Sequence, residues 1–343
     1  MEQLNKKRGG IIKKLKKFLL KRKKHLIFLL IYTILLIPLP YYTTSPGGVN
    51  GIEEKIYIEN QNKSNETFFE TYVSVRRGRI PILLYASLFK SWEIHKVEEL
   101  PGGDYELQNH ISRLELRSAN NMAIYHGVKE AGKEINSLES KMLITYILED
   151  AKTNLEVGDI IENLTFEELK ELITNSNGEI QLEVIRNNDK FLSKTTIIEI
   201  EGEEKMGIVM SYLYDVDTTP KIEIKNDKSE QGPSAGFMTA LTIFDQLTDL
   251  ERKIDGKIAG TGTIDIDGNI GAIGSVDLKI IGADKEGMDY FLVPLEYNYE
   301  TALETKEKFN LDIEIIGFNN FKEAIDYLYE WGAIWNYMLL DTE

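Results

Sequence analysis

The chain has 343 residues, no cysteine, four histidines and a formal net charge of −16. At 42% hydrophobic residues it can bury a core, so wholesale disorder is excluded, and the length is a soft prior for about two domains. The missing cysteine rules out a disulfide scaffold, a Cys-ligated zinc site and a cysteine nucleophile. His25, His95, His110 and His126 form no H-E-x-x-H pair. Residues 1–24 hold eleven Lys/Arg and one acid, net +10, whereas the other 319 hold 29 basic and 55 acidic groups, net −26. So acidic a body argues against nucleic acid as a partner.

Directly after the basic head, residues 26–42 (LIFLLIYTILLIPLPYY) carry no charge and end at Pro38 and Pro40. This is near the short limit of a membrane-spanning helix, about 17–25 residues. Basic residues on one flank place the N-terminus in the cytoplasm and residues 43–343 outside. A cleaved signal peptide is the competing reading, with no small-x-small site before Tyr41. Residues 44–48 (TSPGG) read as a turn-rich linker. Residues 72–76 and 80–85 are strand-like, and 111–132 is helical. Residues 142–148 read as a strand, and 157–161 as a turn into another. Residues 165–173 form a short amphipathic helix with Thr165 as N-cap. Residues 180–185 and 195–200 alternate like paired strands. Strands at 207–213, 221–225 and 257–264 flank a helix at about 234–248. Helices near 276–286, 299–308 and 319–329 follow, with strands at 290–293 and 311–316 between them. That order predicts an α+β or α/β fold.

The most informative string is Gln231-Gly232-Pro233-Ser234-Ala235-Gly236, one serine among small residues just before an apolar-periodic helix. Pro233 suits a helix's first turn. Ser234 there gains free backbone N–H groups and the positive end of the helix dipole, which can hold an oxyanion. Gly232, Ala235 and Gly236 would let a substrate backbone approach. An ordinary serine N-cap explains the string equally well. A nucleophilic serine needs a base, and no histidine follows His126. Lysine can serve when burial lowers its pKa. On a helix, Val276, Lys279, Ile280 and Ala283 share one apolar face, while Lys285 points away. A lysine so placed ordinarily snorkels; a serine and a lysine in one apparent domain shift the balance toward a dyad.

Three further matches fail. Gly127 to Lys133 copies most of a phosphate-binding loop, but Glu134 follows where Ser/Thr belongs and the stretch is helical. Asp265-Ile266-Asp267-Gly268-Asn269 has its glycine fourth rather than sixth, so a hairpin turn explains it better than a calcium loop. Gly268, Gly271 and Gly274 do not form a dinucleotide fingerprint.

GPSAG (232–236), GTGTI (260–264) and IGSVDLKIIGADKEGMDYFLVP (273–294) together resemble the proteolytic domain of Lon-type Ser/Lys peptidases. The wider layout is similar to the Lon-like proteases of Gram-positive bacteria, which join a membrane anchor, a PDZ-like domain and the peptidase domain. IPLPYYTTSPGG (37–48) and TYVSVRRGRI (71–80) also look like that group's N-terminal region. The resemblance implies an α+β chain in five parts: a basic cytoplasmic tail (1–24), a transmembrane helix (25–42), a membrane-proximal extracytoplasmic region (43–138), a PDZ-like domain (139–203) and a Lon-type proteolytic α/β domain (204–343). It makes Ser234 the nucleophile, Lys279 the base and Thr261 a supporting residue, with Gly232, Pro233, Ala235 and Gly236 around the serine. Gln231 stands where many Lon enzymes have Asp, and Ser275 replaces the second glycine of Ile-Gly-Gly. Residues 139–143 (ESKML) lack the glycine of a turn that captures a peptide C-terminus.

The resulting expectation is a membrane-anchored, ATP-independent serine endopeptidase acting on extracytoplasmic peptides or proteins. It needs no metal, nucleotide or other cofactor. Lon domains often assemble as rings, so a homo-oligomer is an expectation from the resemblance alone. The alternative from another class is a membrane-tethered PDZ-like binding module whose peptidase domain is inactive; an enzyme of Ser-Lys chemistry but different reaction is a third.

Overall fold

The computed structural model describes residues 21–61, 67–99, 105–162 and 164–329. Of the expected cytoplasmic tail (1–24), residues 1–20 lie outside them, and Lys23 and Lys24 already belong to α1. In chain order the elements are α1 (Lys23–Leu36), β1 (Tyr41–Gly51), β2 (Ile56–Ile58), β3 (Phe68–Arg77), α2 (Ile80–Ala86), β4 (Glu93–Lys96), α3 (Tyr105–Glu130) and β5 (Glu134–Ile147). There follow β6 (Ile160–Ile161), α4 (Phe166–Thr174), β7 (Glu179–Arg186), β8 (Asp189–Thr196), β9 (Ile198–Ile200), β10 (Glu203–Lys205), β11 (Ile208–Thr219) and β12 (Ile222–Ile224). The last stretch holds α5 (Gly236–Leu247), β13 (Ile258–Gly260), β14 (Thr263–Ile264), β15 (Ile270–Gly271), α6 (Val276–Lys285), β16 (Tyr290–Pro294), α7 (Tyr299–Phe309), β17 (Glu314–Phe318) and α8 (Phe321–Leu328).

The described residues divide into two compact units, one within 21–45 and 75–97, the other within 46–74 and 98–329. In the smaller unit, α1 is apolar on every side and buries none of its residues. It spans 14 residues, about 21 Å at the α-helical rise. Among the described residues no helix is long and apolar enough to cross a membrane. The expected span of 25–42 is therefore too long for the observed helix. Ile37 turns extended ahead of Pro38, as the residue before proline tends to, and Tyr41 and Tyr42 belong to β1. The linker read at 44–48 is likewise strand. Pro46 is tolerated there because the ladder with β4 stops at Thr44↔Glu93. Residues 80–85, read as a strand, form α2: Pro81 sits in its first turn, where a missing N–H costs nothing, and leucine and alanine favour the helix.

The larger unit is built on parallel strands. β13 lies between β3 and β16, and β17 extends the sheet from β16. Period-two alternation gives the sheet two buried faces. Phe68, Ile258 and Leu292 join the core made with α3, α5 and α8, around Met122, Phe237, Leu241, Phe244 and Phe321. Phe69, Ala259, Phe291 and Val293 join a second core with α6 and α7, around Val276, Ile280, Ala283 and Ala302. Helices on both faces of a parallel sheet make a three-layer α/β arrangement. The region read as membrane-proximal (43–138) thus supplies β3 and α3 to the interior of the domain expected at 204–343.

β5 and β11 form one long antiparallel ribbon, from Glu134↔Thr219 to Ile147↔Ile208. Its far half joins β6, β7 and β8 in a five-stranded sheet. With α4 this sheet encloses a separate core of Met142, Ile144, Leu155, Ile161, Leu169, Leu182, Val184 and Met206. Thr165 caps α4 in a capping box with Glu168. Arg186 donates to both carboxylate oxygens of the fully buried Asp159. β8 pairs with β7 as far as Glu179↔Thr196, whereas 198–200 turns away to pair with β10. The expected boundaries at 138/139 and 203/204 fall within or beside the ribbon, not in a linker.

Candidate active site

Three elements of the larger unit bring the site together. β13 ends at Gly260 and delivers Thr261, which is fully buried, its N–H held by the Leu292 carbonyl of β16 (2.9 Å). α6 buries the face expected from its periodicity: Val276, Lys279, Ile280 and Ala283 are all inside and Lys285 is exposed. Ser275 precedes that helix in the left-handed region (φ 54°, ψ 42°), the cost foreseen where glycine is usual.

The serine turn is held from two sides. The Ser234 carbonyl accepts the Gly262 N–H (2.8 Å) and the Thr261 hydroxyl (3.0 Å), while the Gly262 carbonyl accepts the Phe237 N–H (3.0 Å). Gly262 must lack a side chain, since a Cβ would meet Ile270 at 2.8 Å and Phe237 at 3.2 Å. Gly232 adopts φ +85° and donates its N–H to the Ser112 carbonyl of α3 (2.8 Å). α5 itself starts at Gly236 with Ala235 as N-cap, so Pro233 and Ser234 lie in the turn before the helix rather than in its first turn. Gly236 is buried beside Ala119 and Ile264. Among the described residues no backbone carbonyl accepts the N–H groups of Ser234 and Ala235, which leaves both for an acceptor in front of the turn.

Lys279 reaches these groups from α6. Its Nζ donates to Ser234 Oγ at 2.7 Å and to Thr261 Oγ1 at 2.9 Å. The side chain is buried (4% exposed) rather than snorkelling, and burial lowers its pKa to about 8, against a smaller upward pull from Glu70. A neutral lysine amine has two N–H donors and one lone pair. With Thr261 taking one donor, the lone pair can turn to the Ser234 hydroxyl, the geometry of a nucleophile and its base.

The remaining sequence candidates find structural employment. Gly127 lies inside α3, packed on Ile243 and Ala240 of α5, not in a phosphate loop. The Asp265 carboxylate accepts the N–H groups of Asp267 and Asn269 and the Asn269 side-chain amide, closing the β14–β15 turn. His126 is buried with Nε2 against the Asp265 carbonyl (2.7 Å), and burial lowers its pKa.

Residues 224–330 match the Lon protease (S16) C-terminal proteolytic domain. The segment contains Ser234, Thr261 and Lys279. Among curated proteins, the chain is 27% identical over 158 residues to the Lon protease of Clostridioides difficile, covering 43% of this chain and 19% of that protein. It is 35% identical over 95 residues to Lon protease 2 of Bacillus subtilis, covering 28% and 16%. It is 31% identical over 99 residues to the Lon protease of Campylobacter jejuni, covering 29% and 12%. The chain therefore spans less than a fifth of the length of these relatives.

Sequence reasoning missed the charges behind the dyad. Glu70 of β3 pairs in register with Gly260. Its carboxylate accepts from Lys55 (2.5 Å) and from the Asn50 amide (3.3 Å), and Lys55 also donates to Glu230 (2.5 Å). Lys55 and Glu230 are 175 positions apart, and no local spacing links them.

Proposed function

We propose that the chain is an ATP-independent Ser/Lys endopeptidase with Ser234 as nucleophile and Lys279 as general base. The observation that carries it is the 2.7 Å contact between Ser234 Oγ and a lysine amine that is buried and has a pKa near 8. Neutral Lys279 takes the hydroxyl proton as Ser234 Oγ attacks a peptide carbonyl. The Ser234 and Ala235 N–H groups hold the oxyanion. The resulting ammonium returns its proton to the leaving amine, and water, deprotonated by the same lysine, hydrolyses the acyl ester. Thr261 keeps the amine oriented through both steps.

Ser234→Ala and Lys279→Ala should each reduce peptide cleavage to background with the circular dichroism spectrum unchanged. Activity retained in either variant would sink the dyad. A folded wild-type chain with no Ser234-dependent product would instead favour an inactive, binding role.

The finer reading is that the enzyme works at a membrane, outside the cytoplasm. Support comes from α1, whose apolar residues are exposed on all sides and follow a Lys/Arg-rich segment. The five-stranded sheet with α4 is read as the PDZ-like module that presents substrate. Its separate core supports an independent unit. Retention of the chain in carbonate-washed membranes, with the peptidase segment open to externally added protease in intact cells, tests both the anchoring and its direction.

A further inference from the structure

Lys55 sits where three chain segments converge behind the dyad. It follows β1 and precedes β2, and its backbone carbonyl accepts the Lys225 N–H (2.9 Å), which places it at the end of the β2–β12 pairing. Its ammonium is mostly buried (15% exposed) and lies between two carboxylates, Glu70 and Glu230, each at 2.5 Å. Glu230 precedes the serine turn, and its other oxygen accepts the Asp227 N–H, so the acid closes the loop 227–230 on itself as well as on Lys55. Glu70 lies on β3 opposite Gly260, one residue before Thr261.

The groups facing Lys279 from the serine turn and from the end of β13 are the Ser234 and Thr261 hydroxyls, both uncharged near neutral pH. The charged group acting on it is Glu70. An unpaired carboxylate at that position would favour the ammonium form of Lys279 and so oppose a base. Lys55 supplies the compensating charge. Burial disfavours its own charged form, but Glu70 and Glu230 more than offset this and raise its pKa, so Lys55 stays charged while Lys279 titrates.

We infer that Lys55 is a positioning residue of the dyad: it cancels the charge that Glu70, opposite Gly260, exerts on Lys279 and, through Glu230, ties down the loop that leads to Ser234. This rests on the Ser234–Lys279 reading above. The two roles have different signatures. Loss of charge compensation moves the pH at which Lys279 becomes neutral. Loss of the loop tether lowers the rate at every pH.

The test uses the full chain and a fluorophosphonate probe, following the rate of Ser234 labelling from pH 6 to 10. In Lys55→Met the midpoint of the rise should move up by roughly half a pH unit, about threefold slower labelling at pH 7. In Glu70→Gln it should move down by a similar amount, and Lys55→Met/Glu70→Gln should return it near the wild-type value. Glu230→Gln should slow labelling at all pH values with little change of midpoint. If Lys55→Met does not fold, Glu70→Gln and Glu230→Gln decide the matter. Labelling of the wild-type chain with the midpoint unmoved in Lys55→Met and Glu70→Gln overturns the positioning role of Lys55 alone. A wild-type Ser234 that the probe does not label overturns the dyad, and the positioning role with it.

Discussion

Lys279 is the residue on which chemistry and stability meet. With a pKa near 8 it is about one-tenth neutral at pH 7, so kcat/KM for a peptide should rise close to tenfold from pH 6 to 7 and level off above about pH 8.5. A profile flat across pH 6–9 would exclude Lys279 as the base. The same burial costs stability. Below pH 8 the folded chain holds a buried ammonium; between pH 8 and 10.5 the unfolded state binds more protons than the folded one, so stability rises with pH through that window. Lys279→Met removes the buried charge and should be inactive yet more stable at pH 7 by about 1–3 kcal/mol, read by urea denaturation. Thr261→Val keeps the shape but removes the hydroxyl that fixes the amine and the Ser234 carbonyl. It should lower kcat by at least tenfold with little change in KM.

At the scale of elements, the two faces of the parallel sheet carry the site. Thr261 just past the end of β13 and Lys279 on the later α6 share the edge where α/β folds collect their ligands, beyond the carboxyl ends of the strands. α6 bears a backbone cost for its position: Ser275 at φ 54° occupies a conformation that glycine adopts without penalty. Ser275→Gly should therefore stabilise the chain by roughly 0.5–1 kcal/mol and leave kcat unchanged. A destabilised variant would mean that the serine side chain makes a compensating contact. The buried face of α6 was legible from the spacing of Val276, Lys279, Ile280 and Ala283, because helical periodicity is local. The helicity of 80–86 was not, because a short apolar run with a proline fits two conformations and its surroundings decide between them.

For the whole molecule, the β5–β11 ribbon joins two cores that share none of their buried residues. Ser140 and Tyr214 face each other across it. Replacing residues 141–213 with an Asn-Gly turn should remove the five-stranded module and leave a cooperatively folding core around the parallel sheet, still labelled at Ser234 by a fluorophosphonate. Failure of the shortened chain to fold would show that the module contributes to the stability of the parallel-sheet core rather than being an appended unit.

By itself, the sequence determined what depends on neighbours along the chain: the serine turn before an apolar helix, the lysine on a buried helical face, the capped helix at Thr165 and the hairpin turn at Asp265. It also placed Thr261 near the pair, through family resemblance rather than through any local rule. Tertiary structure alone decided what depends on distant partners. It gave β3 and α3 to the core of the parallel-sheet unit, turned residues 44–48 from linker into strand, ended α1 before the prolines and gathered Lys55, Glu70 and Glu230 into one charge cluster. The reason is physical. Periodicity and capping are short-range and leave their mark in adjacent residues, whereas strand pairing and buried charge compensation depend on which surfaces the fold brings together.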